Sequence, residues 1–197
     1  IELENSLKEA FPYVFKEILD DAKVRMGKSV EALKHELASV RTGRANTALL
    51  DNISISAYGS SMPLNQVANV TVPEARMLVV SVWDKTQVAA VEKALRQSNL
   101  GINPVVDGQT LRIPMPPLTE ERRRDLTKVA GTYSENAKIA VRNVRRDAME
   151  TLKKSEKDGM SEDDNKMWHD EVQEMTDKYV AIVDKALEAK QEEIMQV

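Results

Sequence analysis

The stretch that decides the fold is residues 119–159, TEERRRDLTKVAGTYSENAKIAVRNVRRDAMETLKKSEKDG. Its apolar residues recur every three or four positions, which is the spacing of one face of an α-helix. Thr119 is a suitable N-cap, and Glu120 and Glu121 favour the positive end of a helix dipole. We therefore predict one long helix that ends at Gly159. Its predicted apolar face consists of Leu126, Val129, Tyr133, Ala137, Ala140, Val144, Ala148 and Leu152.

Two further stretches predict long helices of the same kind. One extends from about Tyr13 to Val40, after a weakly periodic extension, residues 1–12, that we expect to be helical in part. Its predicted apolar face is Val14, Ile18, Ala22, Met26, Val30, Leu33, Leu37 and Val40. The other begins at Ser161, with Asp164 three residues later. Its predicted seam is Trp168, Val172, Met175, Tyr179, Ile182 and Ala186, with coiled-coil-like spacing. Three helices with one apolar stripe each can bury those stripes by packing together, which predicts a three-helix bundle.

Between the first and second long helices the periodicity changes to that of strands. Apolar and polar residues alternate over residues 53–58, and Gly59-Ser60-Ser61 is a turn signal. The continuous apolar run Leu78–Trp83 predicts a buried strand. A short helix with Thr86 as its N-cap should follow and end near residues 99–101. Its predicted apolar face is Val88, Val91, Ala94 and Leu95.

A hairpin with a tight turn at Asp107-Gly108 should follow that helix, so the segment predicts a small β/α/β domain. The predicted fold class is α+β, with residues 44–117 inserted into a three-helix bundle made of residues 1–43 and 118–197. The chain crosses this boundary twice, and both short crossings are candidate hinge segments. The predicted hinge residues are Thr42, Gly43, Arg44, Pro114, Met115, Pro116 and Pro117.

Composition excludes several classes of protein. There are no cysteines, so disulfides and cysteine-based zinc sites are excluded. No apolar run approaches the roughly 20 residues that span a bilayer, and neither a signal peptide nor an Arg/Ser-rich transit segment is visible. We expect a cytoplasmic bacterial protein with no membrane partner, and an organellar protein is the alternative.

The distribution of charge is more informative than its total. The chain carries a formal net charge of −4. Residues 119–158 carry a net charge of +3, whereas residues 159–197 carry −7. A partner responds to the local field, so a basic helix beside an acidic helix is the relevant pattern.

Residues that could support catalysis are not clustered in the sequence. The chain has no phosphate-binding glycine loop and no Gly-x-Ser-x-Gly motif. His35 and His169 fall on different helices and fit the surface of a helix. Asp163 and Asp164 could suggest a metal site, but acidic residues are expected in the first turn of any helix. We predict no catalytic residue, no metal site and no cofactor.

The basic residues form a more specific pattern. Lys138, Arg142, Arg145 and Arg146 are spaced so that they should lie opposite the apolar stripe of their helix, since each residue turns it by about 100°. Arg124 should lie on the same side, and Arg41 and Arg44 follow the first helix. A solvated face is the alternative interpretation, but arginine forms forked contacts with phosphate. Without interleaved aromatic residues, these seven residues predict binding to folded RNA through its backbone and shape.

Four segments resemble the ribosome recycling factor family, and they occur in the family's order. They are Val40–Ala45 (VRTGRA), Pro116–Arg123 (PPLTEERR), Val141–Ala148 (VRNVRRDA) and Ser161–Asp164 (SEDD). The similarity extends from about Leu19 to the end of the chain. Residues 1–12 extend beyond the usual start of the family, and Gly131 stands where many relatives have a basic residue.

The resemblance implies an L-shaped, monomeric protein similar in outline to transfer RNA, with a hinge between its two domains. It implies a post-termination ribosome as partner, bound through large-subunit RNA, and elongation factor G with GTP as the agent of subunit separation and release of mRNA and tRNA. The factor itself hydrolyses nothing. Arg145 matches the family arginine most closely associated with function, with Arg142 and Arg146 beside it. Arg41 and Arg44 match family arginines near the hinge.

Two alternatives belong to other classes. A helical adaptor would use the acidic last helix to bind a basic protein, and its binding would survive loss of the arginines. An RNA-cleaving or metal-dependent hydrolase would lose turnover after a single carboxylate change, but the sequence offers no candidate carboxylate.

Overall fold

The protein is described here by a computed structural model that defines the backbone of residues 2–196 and the side chains of residues 14–196. Its helices are α1 (Glu2–Ala38), α2 (Val88–Arg96), α3 (Glu120–Lys157) and α4 (Glu162–Met195). Its strands are β1 (Ser54–Ala57), β2 (Ser60–Pro63), β3 (Ala68–Glu74), β4 (Met77–Val82), β5 (Val105–Asp107) and β6 (Thr110–Pro114). Long helices together with antiparallel strands confirm the predicted α+β class.

The chain divides into two compact units. The first contains the part of α1 up to His35 together with Gly131–Glu188, and the second contains Glu36–Ala130 together with the chain from Ala189 onward. The limits of these units fall within the long helices. The domain boundaries predicted at residues 43/44 and 117/118 remain a prediction.

The first unit is built from three helices that bury their apolar faces on one another. One cluster joins Ala22 and Met26 of α1 to Val141 and Val144 of α3, with Tyr179 of α4 packed against it. Such a shared cluster is what the three apolar stripes predicted, because each stripe is removed from water by the other two helices.

The start of α1 differs from the prediction. The helix begins at Glu2, so residues 2–12 are helical throughout, and Ile1 lies outside the described residues. Val14, predicted to be in the core, is 46% exposed, whereas Phe15 is fully buried. The reason is a ring contact, since Phe15 packs against Trp168 of α4 with 5.4 Å between ring centroids.

The buried face of α3 is displaced by one residue along part of its length. Val129 is exposed, so its predicted burial was wrong, and Tyr133 and Ala140 are only half-buried. The buried positions are Leu126, Ala130, Ser134, Ala137, Val141, Val144, Ala148 and Leu152. Both patterns have helical spacing, and the observed one places the small residues Ala130 and Ser134 inside. Small side chains allow neighbouring backbones to approach closely, a preference that periodicity alone does not reveal.

Local capping fixes the start of α3 and both ends of the α3–α4 connection. The Thr119 hydroxyl accepts a hydrogen bond from the Arg122 backbone N–H at 3.1 Å, and that of Ser161 accepts from the Asp164 N–H at 3.2 Å, which confirms both predicted caps. At the end of α3, Gly159 has a φ of 108° and the Met160 N–H reaches back to the Ser155 carbonyl. This is a Schellman motif, whose positive φ favours glycine.

The second unit contains two antiparallel sheets. One pairs β1 with β2, and the other has the order β3-β4-β6-β5. Leu78, Val80 and Val82 of β4 are buried in a core that also contains Val91 and Leu95 of α2. The strand is buried on one face only, because the alternate residues are half-buried or exposed. The prediction of a continuous buried strand to Trp83 was therefore wrong, and Trp83 itself is 56% exposed.

Two turns differ from their predicted positions. The β1–β2 turn is formed by Tyr58 and Gly59, whose φ angles of 53° and 76° are typical of a type I′ hairpin. The predicted Ser60 and Ser61 belong to β2 instead. In the β5–β6 hairpin, Asp107 is still paired, so the turn lies at residues 108–109. Sequence signals located both hairpins but displaced each turn by one residue.

The N-cap before α2 is Asp84 rather than the predicted Thr86. A 3₁₀ turn at Lys85–Gln87 precedes the helix, so the capping position lies earlier in the chain. One Asp84 carboxylate oxygen accepts from the Thr86 backbone N–H at 2.9 Å, and the other accepts from the Tyr58 hydroxyl. These hydrogen bonds lower the pKa of the Asp84 carboxyl, with the bond from Tyr58 making the largest contribution.

Candidate nucleic-acid interface

The side of α3 away from the core carries two exposed arginines in the first unit. Val141 and Val144 face the core, so a rotation of about 100° per residue directs Arg142 and Arg146 away from it. Arg142 lies 3.8 Å from a Glu135 carboxylate oxygen, and its side chain is 57% exposed. Arg146 donates a hydrogen bond to the Asn143 side-chain oxygen at 3.2 Å. Both guanidinium groups are accessible to a phosphate.

Lys138 and Arg145 flank this exposed face on the side of α4. The Lys138 ammonium forms an ion pair with Asp184. Arg145 donates through Nε to the Gln173 side-chain oxygen at 2.7 Å. Arg145 is half-buried, so the expectation that it lies opposite the apolar stripe was wrong for this residue. It lies beside the core stripe rather than opposite it, and α4 covers part of its side chain.

The nearby carboxylate of Asp147 is engaged on the other side of α3. One of its oxygens lies 2.9 Å from an Arg25 guanidinium nitrogen of α1. Both side chains are about half exposed, so this pair contributes little to stability. The pair matters for electrostatics, because the Asp147 carboxylate is bound to Arg25 of α1 and does not neutralise the arginines of α3.

In the second unit, Arg41 occupies a buried position. Its side chain donates to the Pro116 backbone carbonyl, and it is only 9% exposed. Burial lowers the pKa of the Arg41 guanidinium, and the neighbouring positive charge of Arg122 lowers it further. Because its guanidinium joins two segments of the chain, Arg41 is not a surface residue, and its predicted contact with RNA remains a prediction.

The other two predicted contacts of this unit are exposed. Arg44 is exposed, and its backbone N–H is 3.4 Å from the Thr42 hydroxyl. Arg124 forms an ion pair of 2.6 Å with Glu120, and its side chain is 68% exposed. Either residue can meet an anionic partner, although Arg124 must first exchange the Glu120 carboxylate for it.

The sequence did not predict the role of Arg123, which lies between exposed arginines. Arg123 is 8% exposed and donates to the Ile194 carbonyl at 2.8 Å, to the Gln196 carbonyl and, at 3.4 Å, to the Leu118 carbonyl. A cation at the C-terminal end of α4 satisfies carbonyls that the helix leaves unpaired. Its helical phase, three residues before buried Leu126, was the signal that could have separated it from its neighbours.

The residue that follows the first predicted hinge segment, and Met115 within the second, are both hydrogen-bonded to the turn between β3 and β4. The Ala45 N–H donates to the Ala75 carbonyl at 2.7 Å, and the Met115 N–H donates to the Arg76 carbonyl at 2.7 Å. Met115 is buried. A β-carbon on Gly43 would lie 3.6 Å from the Gln196 carbonyl oxygen. These contacts fix the segments locally, and their role as a hinge remains a prediction.

Neither metal-binding side chains nor the two histidines cluster among the described residues. Among the described residues, no group of three or more His, Asp or Glu side chains could hold a metal ion. His35 is exposed and His169 is half-buried on a different helix. Within the described residues, no helix combines the length and the apolar character needed to cross a membrane.

The fold and this surface define a class of protein: three long helices with a small antiparallel-sheet unit and an exposed pair of arginines on the middle long helix. The chain belongs to the ribosome recycling factor family, since the sequence model of the family described as Ribosome recycling factor matches residues 33–195. It is therefore a non-catalytic factor of ribosome recycling in protein biosynthesis.

Individual relatives agree with this assignment. The ribosome-recycling factor of Erythrobacter litoralis is 61% identical over 89% of this chain and 95% of its own length. That of Sinorhizobium medicae is 58% identical over 91% of this chain and 97% of its own. A solution structure of a ribosome recycling factor is similar with a TM-score of 0.74 and 44% identity, covering 93% of this chain and 98% of that one.

A second similar structure is that of the T. thermophilus ribosome recycling factor with E. coli elongation factor G on the E. coli post-termination complex. It matches with a TM-score of 0.65 and 45% identity, over 92% of this chain and 99% of that one.

Proposed function

We propose that this chain binds the post-termination ribosome through large-subunit ribosomal RNA. With elongation factor G and GTP, it promotes dissociation into subunits and release of mRNA and tRNA. It acts as a monomer in the bacterial cytoplasm, and the predicted hinge segments let its two domains move. The family assignment and the complex of a similar factor with elongation factor G support this proposal.

The observation that carries the RNA contact is the accessibility of Arg142 and Arg146. Both belong to the side of α3 that the bundle core does not use, and Asp147 is paired with Arg25 of α1. Two guanidinium groups one turn apart can each form forked contacts with backbone phosphates. Such contacts position a protein on folded RNA without reading its sequence.

Exposed Arg44 and Arg124 extend the proposal to the second unit, and Lys138 and Arg145 extend it along α3. Lys138 contributes less, because its ammonium already faces the Asp184 carboxylate. Arg41 belongs to the proposed set but contributes least, because its buried guanidinium must leave the Pro116 carbonyl to meet a phosphate.

The test is conversion of puromycin-treated polysomes to single ribosomes and subunits, with elongation factor G and GTP present. The double variant Arg142→Ala/Arg146→Ala is compared with Arg112→Ala, an exposed arginine of β6 that is 4.0 Å from Asp107. Wild-type protein and the control should convert polysomes, whereas the double variant should not. The slope of the logarithm of its ribosome affinity against the logarithm of salt concentration (the salt slope) should also be smaller by about two, one for each lost phosphate contact.

An adaptor that uses the acidic face of α4 gives a different result. Conversion would persist in the double arginine variant and would be lost in Glu171→Gln/Glu174→Gln, which neutralises two exposed residues of α4. That outcome would replace RNA by a basic protein as the partner of the helical unit. Conversion without elongation factor G would contradict the proposed division of labour between the two proteins.

A further inference from the structure

A chain of two hydrogen bonds connects Arg145 to the acidic helix α4. The Arg145 Nε–H donates to the Gln173 side-chain oxygen at 2.7 Å. The Gln173 side-chain nitrogen then donates to an Asp177 carboxylate oxygen at 2.9 Å. All three residues belong to the first unit, and Gln173 and Asp177 are one turn apart on α4.

The order of these bonds fixes the orientation of the Gln173 amide. A carboxylate only accepts hydrogen bonds, so the Asp177 side chain selects the orientation that turns the amide nitrogen toward it. The amide oxygen is then directed to the Arg145 guanidinium, which only donates. Each group has one compatible role in this chain, so the arrangement has a single hydrogen-bonded state.

The amide restrains the guanidinium without cancelling its charge. Lys138 lies seven residues before Arg145 on α3. Its ammonium pairs directly with the Asp184 carboxylate, so its positive charge is neutralised within the bundle. Among the described side chains, no carboxylate lies within ion-pairing distance of Arg145. Its bond to Gln173 uses Nε alone, and the hydrogens of the two Nη groups lie outside that bond.

We infer that Gln173, oriented by Asp177, is a positioning residue that holds Arg145 ready to bind an RNA phosphate. This inference rests on the proposed function, and it gives residues of the acidic helix α4 an indirect role in RNA binding. A restrained side chain loses less conformational freedom when it binds, so preorganisation strengthens the contact. The Asp177 carboxylate acts on Arg145 only indirectly, by orienting the neutral amide of Gln173.

The experiment measures the affinity of the full chain for post-termination ribosomes over a range of salt concentrations. Gln173→Met keeps a side chain of similar length but removes the acceptor, and Gln173→Glu places a carboxylate beside Arg145. The matched control is Gln191→Met, a half-buried glutamine of α4 in the second unit. Arg145→Ala is measured alone and in combination with each Gln173 variant, and circular dichroism verifies folding of every protein.

We expect Gln173→Met to weaken binding about two- to tenfold with an unchanged salt slope, since the charge remains but must be ordered on binding. Gln173→Glu should lower the salt slope by about one, as Arg145→Ala does, because the new carboxylate neutralises the guanidinium. In the Arg145→Ala background neither change at Gln173 should have a further effect. A merely structural role of Gln173 would weaken binding in both backgrounds.

The possible failures are distinguishable. If Arg145→Ala weakens binding but both Gln173 variants match the Gln191→Met control, the positioning role is wrong and the proposed function stands. If Arg145→Ala and the Arg142→Ala/Arg146→Ala variant both bind like wild type, the RNA contact proposed for α3 is wrong, and the role of Gln173 is wrong with it.

Discussion

Replacement of Arg123 by alanine should destabilise the second unit by about 3 kcal/mol. The side chain is 8% exposed, and its strongest described hydrogen bonds are to the Ile194 carbonyl, at 2.8 Å, and the Gln196 carbonyl. A hydrogen bond from a charged group contributes about 1.5–3 kcal/mol. Two such bonds, discounted because Gln196 is exposed and its carbonyl can be hydrated in the variant, give the expected value.

The adjacent arginine provides the control. Arg124 is 68% exposed and pairs only with Glu120 one turn away among the described ion pairs, so Arg124→Ala should cost about 0.3–0.5 kcal/mol. Urea denaturation gives the free energy of unfolding of both variants, and hydrogen exchange should show faster exchange near the end of α4 in Arg123→Ala alone. A difference below about 0.5 kcal/mol between the two variants would refute the reasoning.

Three other changes test separate parts of the fold. Phe15→Ala removes a buried ring that packs on Trp168, and it should lower the free energy of unfolding by about 3–5 kcal/mol and shift the tryptophan emission, both measured in one urea titration. Gly159→Ala places a β-carbon at a φ of 108° in open space, so backbone strain alone should cost about 1–2 kcal/mol in thermal unfolding, and an unchanged Tm would contradict the Schellman assignment. The Tyr58 hydroxyl lowers the pKa of Asp84, so the ionised carboxylate stabilises the fold above the unfolded pKa, and this stabilisation is lost as pH falls through the lower folded pKa. Carboxyl NMR should show this low titration midpoint, and Tyr58→Phe should raise it.

The fold could be predicted from the sequence wherever a signal was local. The caps at Thr119 and Ser161 depend on side chains a few residues from the amides they bind, and the structure contains both. The small helix α2 buries Val88, Val91 and Leu95 as its spacing indicates. Each of these features is decided within one or two turns of the chain, so no knowledge of distant partners was needed.

The details that were mispredicted depend on distant partners. Val129 and Ala130 fit the helical spacing of α3 equally well, and packing favours the smaller residue inside. Phe15 is buried because Trp168, far away in the sequence, provides a ring beside it. Both choices are made by tertiary packing, which an amphipathic pattern does not contain.

The candidate surface shows the same division. The sequence placed arginines on α3 correctly, but it could not separate exposed Arg142 and Arg146 from half-buried Arg145, because that distinction depends on where α4 lies. Burial of Arg41 follows from a hydrogen bond to the Pro116 carbonyl, 75 residues away. Residue type indicated a charge, and the tertiary contacts decided whether a partner could reach it.

The short connection between α3 and α4 has a consequence for folding kinetics. Contacts across this helical hairpin join nearby residues, as between Arg145 and Gln173, which are 28 positions apart. Contacts between α1 and α3 require much larger loops, such as the 122 positions between Arg25 and Asp147. Local contacts close quickly and at a smaller entropic cost. During synthesis α1 is made first, yet it must remain without its bundle partners until α3 emerges, so a truncated or stalled chain exposes the apolar face of that helix.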